Sequence, residues 1–86
     1  MIITKRLEFV GTHKQHSLDP DLTIEQIEAA LGGIESSGPS ADVKCLYEWD
    51  FYADGHPCGI WDYRGSRWSA YGPREVFEKL GLSVVS

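Results

Sequence analysis

The chain has 86 residues, 42% of them hydrophobic and 24% charged, and a length this far below the usual domain size predicts a single domain spanning residues 1–86. Three Trp, four Tyr and three Phe supply large side chains to bury, which excludes a disordered chain, and no apolar run approaches the ~20 residues that a bilayer-spanning helix needs. A formal net charge of −5 excludes a protein that grips bulk nucleic acid through a general basic face.

Ile2–Val10 reads as the first strand, with Ile3, Leu7 and Phe9 on one parity and Thr4, Arg6 and Glu8 on the other. Gly11–Asp21 is a polar connection. A helix follows. Thr23 and Gln26 form a capping box, Leu22 and Ile27 occupy the positions of a hydrophobic staple, and Ile24, Ile27 and Leu31 recur on one face. Gly32-Gly33 ends this helix, and residues 34–42 have loop composition. From Val43 the parity changes. Val43, Cys45, Tyr47, Trp49 and Phe51 alternate with polar residues, as expected for an antiparallel strand with one buried face.

Asp54-Gly55 then suits a two-residue hairpin turn, because both positions of that turn need positive φ. Such a turn sets Phe51 opposite Cys58, Trp49 opposite Ile60 and Tyr47 opposite Asp62 on the core side. On the other side it sets Tyr52 opposite Pro57, Asp50 opposite Gly59, Glu48 opposite Trp61 and Leu46 opposite Tyr63. A second turn at Arg64-Gly65-Ser66 returns the chain into a strand over Arg67–Tyr71. Gly72-Pro73 opens a last helix with Pro at its first position, Val76, Phe77 and Leu80 form its apolar stripe, and Gly81 closes it. The expected class is α+β: a four-stranded, mostly antiparallel sheet with two short helices on one face, in the order β-α-β-β-β-α.

Charge is unevenly distributed along this order. Residues 1–18 carry +2, residues 19–62 carry ten acids against Lys44 for −9, and residues 63–86 carry +2. The basic C-terminal end holds its arginines among aromatics: Arg64, Arg67 and Trp68 lie next to Trp61, Tyr63 and Tyr71. Arginine forks bind phosphate, aromatic faces stack bases, and a glycine turn brings backbone N–H groups close to an anion. These six residues are the candidate ligand site. The same pattern also suits an ordinary hairpin turn, with arginines for solubility and aromatics for packing. Trp61 and Tyr63 fall on the face away from the core, so a ligand, a partner or a second copy of the chain is expected to cover them, a homodimer or higher homo-oligomer being the plainest case.

Other constellations suit structure better than chemistry. His13, His16, Asp19 and Asp21 have donor types for a divalent cation but no completed ligand set, so no metal or other cofactor is expected. Cys58 falls on the core parity, which makes it a buried thiol and not a nucleophile served by His56. Asp62 on the core side needs a partner, and the Tyr47 hydroxyl is the nearest candidate. Glu48 and Asp50 have the makings of an acid/base pair, but on an exposed strand face such residues mostly solvate it. Two cysteines are too few for a disulfide scaffold, and the first residues do not read as a secretory leader, so a reducing cytoplasm is the expected setting.

The hairpin resembles a pattern in short, mostly uncharacterised bacteriophage accessory proteins, in which a strand and a helix ending in LG or FG precede EW-x-F, DG and I-W/Y-D-Y-K/R. The matching residues are Leu31-Gly32, Glu48-Trp49, Phe51, Asp54-Gly55, Ile60-Trp61-Asp62-Tyr63-Arg64 and Trp68, within residues 7–80. After Trp68 the sequence Ser69-Ala70-Tyr71-Gly72-Pro73 departs from the Gly-rich ending of that pattern. The resemblance implies a non-catalytic protein acting against bacterial antiviral defence in the cytoplasm of an infected host. Its first form is sequestration of a cyclic nucleotide signal, with Arg64 and Arg67 on phosphates and Trp68 and a tyrosine on bases. The alternative is a protein–protein inhibitor, of anti-CRISPR or DNA-mimic type, that docks on a host defence protein. A small nucleotide hydrolase ranks third.

Overall fold

In the computed structural model, which describes residues 1–6, 14–36, 47–63 and 66–85, Asp54 (φ 50°) and Gly55 (φ 85°) make the two-residue turn. The turn joins β3 (Glu48–Ala53) to β4 (His56–Tyr63). The register is the expected one: Phe51 faces Cys58, Trp49 faces Ile60, Tyr52 faces Pro57, Asp50 faces Gly59 and Glu48 faces Trp61. Side chains on a strand alternate between faces, so a slip by one residue would exchange the two sets. Trp49, Phe51, Cys58 and Ile60 are all buried on one face as a consequence.

β4 continues into β5 (Ser66–Tyr71), with an irregularity between Trp61 and Tyr63. β1 (Ile3–Lys5) pairs antiparallel with β3, placing Ile3 opposite Ala53 and Lys5 opposite Phe51. It is shorter than the expected Ile2–Val10, of which Leu7–Val10 lie outside the described residues, as do Val43–Leu46 of the next expected strand.

The sheet has five strands, not four. β2 (His16–Ser17), inside the segment expected to be a polar connection, pairs with β5 and makes the order along the sheet β1-β3-β4-β5-β2. With α1 (Ile24–Ala30) and α2 (Arg74–Lys79) the chain runs β-β-α-β-β-β-α. A two-residue strand of His and Ser has no alternation to read. It exists because the Gln15 amide donates to the Ala70 carbonyl at 2.9 Å and the Leu18 amide to the Trp68 carbonyl at 3.0 Å. The tail then returns to the same edge, the Asp19 amide meeting the Ser83 carbonyl at 2.8 Å and the Val85 amide the Ser17 carbonyl at 2.8 Å.

Both helices pack on the Trp49 face. Ile27 of α1, its C-cap Leu31, and Val76 and Phe77 of α2 join Leu18, Phe51, Cys58, Ile60, Ala70 and Leu82 in one core. The capping box is formed on both sides: the Gln26 amide donates to Thr23 Oγ1 at 3.1 Å and the Thr23 amide to Gln26 Oε1 at 2.9 Å. Such a cap contributes about 1 kcal/mol. Two indoles tie α1 to the sheet, Trp68 Nε1 donating to the Leu22 carbonyl at 2.8 Å and Trp49 Nε1 to Glu28 Oε2 at 3.3 Å. The two rings meet edge to face, 5.5 Å apart at 60°. Pro73 is the N-cap of α2, one position before the expected one, with ψ 134° still extended. No helix among the described residues is long and apolar enough to cross a membrane.

Gly72 has φ +128°, and a Cβ there would lie 2.7 Å from Cys58 Sγ. Gly33 has φ +91° but open space around it. Gly72→Ala is therefore expected to cost about 2 kcal/mol or more of unfolding free energy, against about 1 kcal/mol for Gly33→Ala. Chemical denaturation of both variants reads the difference, and equal losses would mean that the close approach to Cys58 is unimportant.

Candidate binding groove

Of the six expected ligand residues, the four whose side chains are described, Trp61, Arg67, Trp68 and Tyr71, do not all meet at one place. β5 places Trp68 and Ala70 toward the core, and the intervening Ser69 lies opposite Trp61 on the helix-free face. Trp68 is only 4% exposed, its indole N–H bonded to Leu22 and its ring against Trp49, so its principal contacts are structural. Trp61 and Tyr71 are half-buried, on ladder positions facing Ser69 and Gly59. Arg67 is exposed. Arg64 and the side chain of Tyr63 lie outside the described residues. Strand alternation explains the separation: neighbours in sequence point to opposite faces.

What Arg67 and the edge of Trp68 do share is a groove of ≈ 480 Å³ between the start of α1 and the ends of the strands. One wall is the segment 20–25, including Asp21, Leu22, Ile24 and Glu25; the other is Tyr47, Asp62, Arg67 and Trp68. Trp68 builds this groove by fastening the Leu22 carbonyl to β5.

Tyr47 is the groove residue that sequence reasoning missed as a contact. It lies on the core parity, yet it is 36% exposed, one position before β3 begins. Its ring stacks near-parallel on Trp49, 6.2 Å away at 14°. Asp62 holds it from below: the Tyr47 amide donates to Asp62 Oδ1 at 2.7 Å and the Asp62 amide to the Tyr47 carbonyl at 3.2 Å. Asp62 does sit beside Tyr47 as expected, but this bond comes from the backbone amide instead of the expected hydroxyl. Among the described lining residues Asp21, Glu25 and Asp62 outnumber Arg67 three to one.

The opposite face of the sheet corrects a second expectation. Glu48 and Asp50 do not solvate an exposed strand face; they are only 6% and 7% exposed. Glu48 lies opposite Trp61, and Asp50 lies over Gly59, where a Cβ would approach its Oδ1 to 3.4 Å. Arg6 flanks them, its amide donating to the Asp50 carbonyl at 2.9 Å and its guanidinium 5.5 Å over the Tyr52 ring. Burial pushes the Glu48 carboxyl up to about 8, helped by its hydrogen bond to Asp50 and by the charge there. Burial beside Asp50 therefore favours the neutral form of the Glu48 carboxyl.

The remaining expected groups take structural places. Cys58 is buried, its thiol pushed up to about 11 chiefly by burial, and Sγ donates to the His56 carbonyl at 3.4 Å. A thiol held in this state is a poor nucleophile. His16 Nε2 is 3.1 Å from the Gly72 carbonyl, and its ring meets Phe77 edge-on. Asp19 Oδ1 accepts from the Asp21 amide at 2.9 Å, while His13 lies outside the described residues. Compared with protein-family models, curated proteins and solved structures, the chain matches none.

Glu48 yields a pH prediction. The folded protein holds its proton to about pH 8, whereas the ordinary carboxyl releases it near 4.5. Between these values the unfolded chain binds fewer protons, so stability is fullest below the lower one and declines as pH rises toward the upper one. The slope reaches at most about 1.4 kcal/mol per pH unit. Melting temperature is expected to fall across this window, and Glu48→Gln is expected to remove that part of the fall. Parallel profiles for the two proteins would show that Glu48 is not the titrating group.

Proposed function

We propose that this protein is a non-catalytic phage-encoded binding module that inhibits bacterial antiviral defence by docking on a defence protein through the groove. The phage setting rests on the hairpin resemblance. The docking reading rests on one observation: a concave site of ≈ 480 Å³ in which an exposed tyrosine and the half-buried Leu22 and Ile24 are bordered by charged groups. Recessed apolar surface inside a polar rim is the anatomy that protein partners fill with an anchoring side chain.

Sequestration of a cyclic nucleotide is the second reading. Arg67 on the same groove as the Tyr47 ring favours it, since a phosphate and a base need those two groups. It ranks second because three carboxylates line the same groove and phosphates would meet their repulsion. The helix-free face, with Tyr52 exposed and Trp61 and Tyr71 half-buried, is where self-association would act in either case.

Expression of the protein in a panel of bacterial strains, each carrying a different defence system, tests the proposal. Phage plaquing is expected to recover in at least one strain, to be lost again with Tyr47→Ala, and to survive Tyr52→Ala on the far face. No recovery in any strain would sink the anti-defence reading. Calorimetric binding of cyclic dinucleotides that Arg67→Ala abolishes would put the second reading first.

A further inference from the structure

Building on the docking reading, we infer that the groove seats an arginine side chain of the partner, its guanidinium plane stacked on the Tyr47 ring. The ring is already positioned. Its near-parallel contact with Trp49 supports one side, and both backbone groups of Tyr47 are bonded to Asp62 at 2.7 and 3.2 Å. Little ordering of this ring is left for a guest to impose, which is the usual cost of recruiting an aromatic to an interface.

The charge of the groove selects the guest. Asp21 and Glu25 are exposed on one wall, and the Asp62 side chain, bonded to the Tyr47 amide, lines the other. All lie within one groove, so at physiological salt their attraction for a cation is only partly screened. A phosphate or a carboxylate would meet that field with the wrong sign. Between the two basic side chains, arginine suits the ring better: guanidinium is planar, weakly hydrated and stacks on aromatic faces, whereas ammonium is a compact, strongly hydrated point charge. Arg67 bears on the same site with the opposite effect, because its charge opposes a second guanidinium.

This assignment gives Arg67 a sign that separates it from nucleotide binding. A short capped Arg-Gly-Arg peptide, titrated by calorimetry at low and high salt, is expected to bind and to weaken as salt rises. The Lys-Gly-Lys peptide should bind more weakly and the Glu-Gly-Glu peptide not at all. Tyr47→Ala should weaken the arginine peptide about threefold or more, Tyr47→Phe should restore it, and Arg67→Ala should tighten it. The exposed pair Asp21→Lys with Glu25→Lys should abolish binding while melting stays close to wild type, which guards against misfolding as the cause. Equal affinity for the arginine and glutamate peptides, or binding indifferent to both Tyr47→Ala and the charge-reversed pair, would overturn the inference. If the arginine peptide fails to bind while Tyr47→Ala still removes the recovery of plaquing, the inference falls and the docking reading stands. Failure of both removes the docking reading as well.

Discussion

Two positive φ angles, at Asp54 and Gly55, set the register between β3 and β4, and the rest of the molecule is arranged around that register. Because side chains alternate along a strand, the register decides that Trp49, Phe51, Cys58 and Ile60 share one face while Glu48, Asp50 and Trp61 share the other. The apolar face then recruits both helices. A slip of one residue would present carboxylates to the helices, at a desolvation cost no small core could offset. β1 and β5 extend the same sheet from either edge of this hairpin.

The contacts that stabilise the fold also shape the groove. α1 has seven residues, too few to persist alone in water, so its position depends on its capping box and on the two indole N–H bonds from the sheet. Each such bond contributes about 1 kcal/mol net. Trp68 is the centre of this arrangement. It draws the Leu22 carbonyl onto β5, packs against Trp49, and so holds the segment 20–25 at a distance from Tyr47 and Arg67 that leaves a groove between them. A tryptophan that reads as a ligand-stacking residue is the one that constructs the site.

Net charge has a different meaning once the carboxylates are placed. Of the ten acids between residues 19 and 62, Glu48 and Asp50 are buried together, and burial pushes the Glu48 carboxyl up toward its neutral form. Asp21, Glu25 and Asp62 line one groove instead. The bulk value of −5 carried neither fact. An acidic stretch that looks like a solvated surface places two of its carboxyls in a buried pair on one face and three along a groove.

Local chemistry was legible without the fold. The Thr23–Gln26 capping box, the Asp54-Gly55 turn, the hairpin pairing and the buried state of Cys58 all follow from residues within a few positions of one another or from strict alternation, and alternation needs no tertiary information. What was illegible depends on partners far apart in sequence. β2 is a strand only because β5 lies beside it, and His16 and Ser17 carry no pattern of their own. The groove joins residues 20–25 to Tyr47, Asp62 and Arg67, and no sequence spacing expresses that meeting. Glu48 and Asp50 are buried because Trp61 and Gly59 of β4 and Arg6, just after β1, are brought against them from elsewhere in the chain. By itself the sequence determined which segments turn, cap and alternate, since torsional preference and short-range hydrogen bonding decide those. The tertiary structure alone decided which polar groups lose their water, since burial is set by what the rest of the chain brings against them.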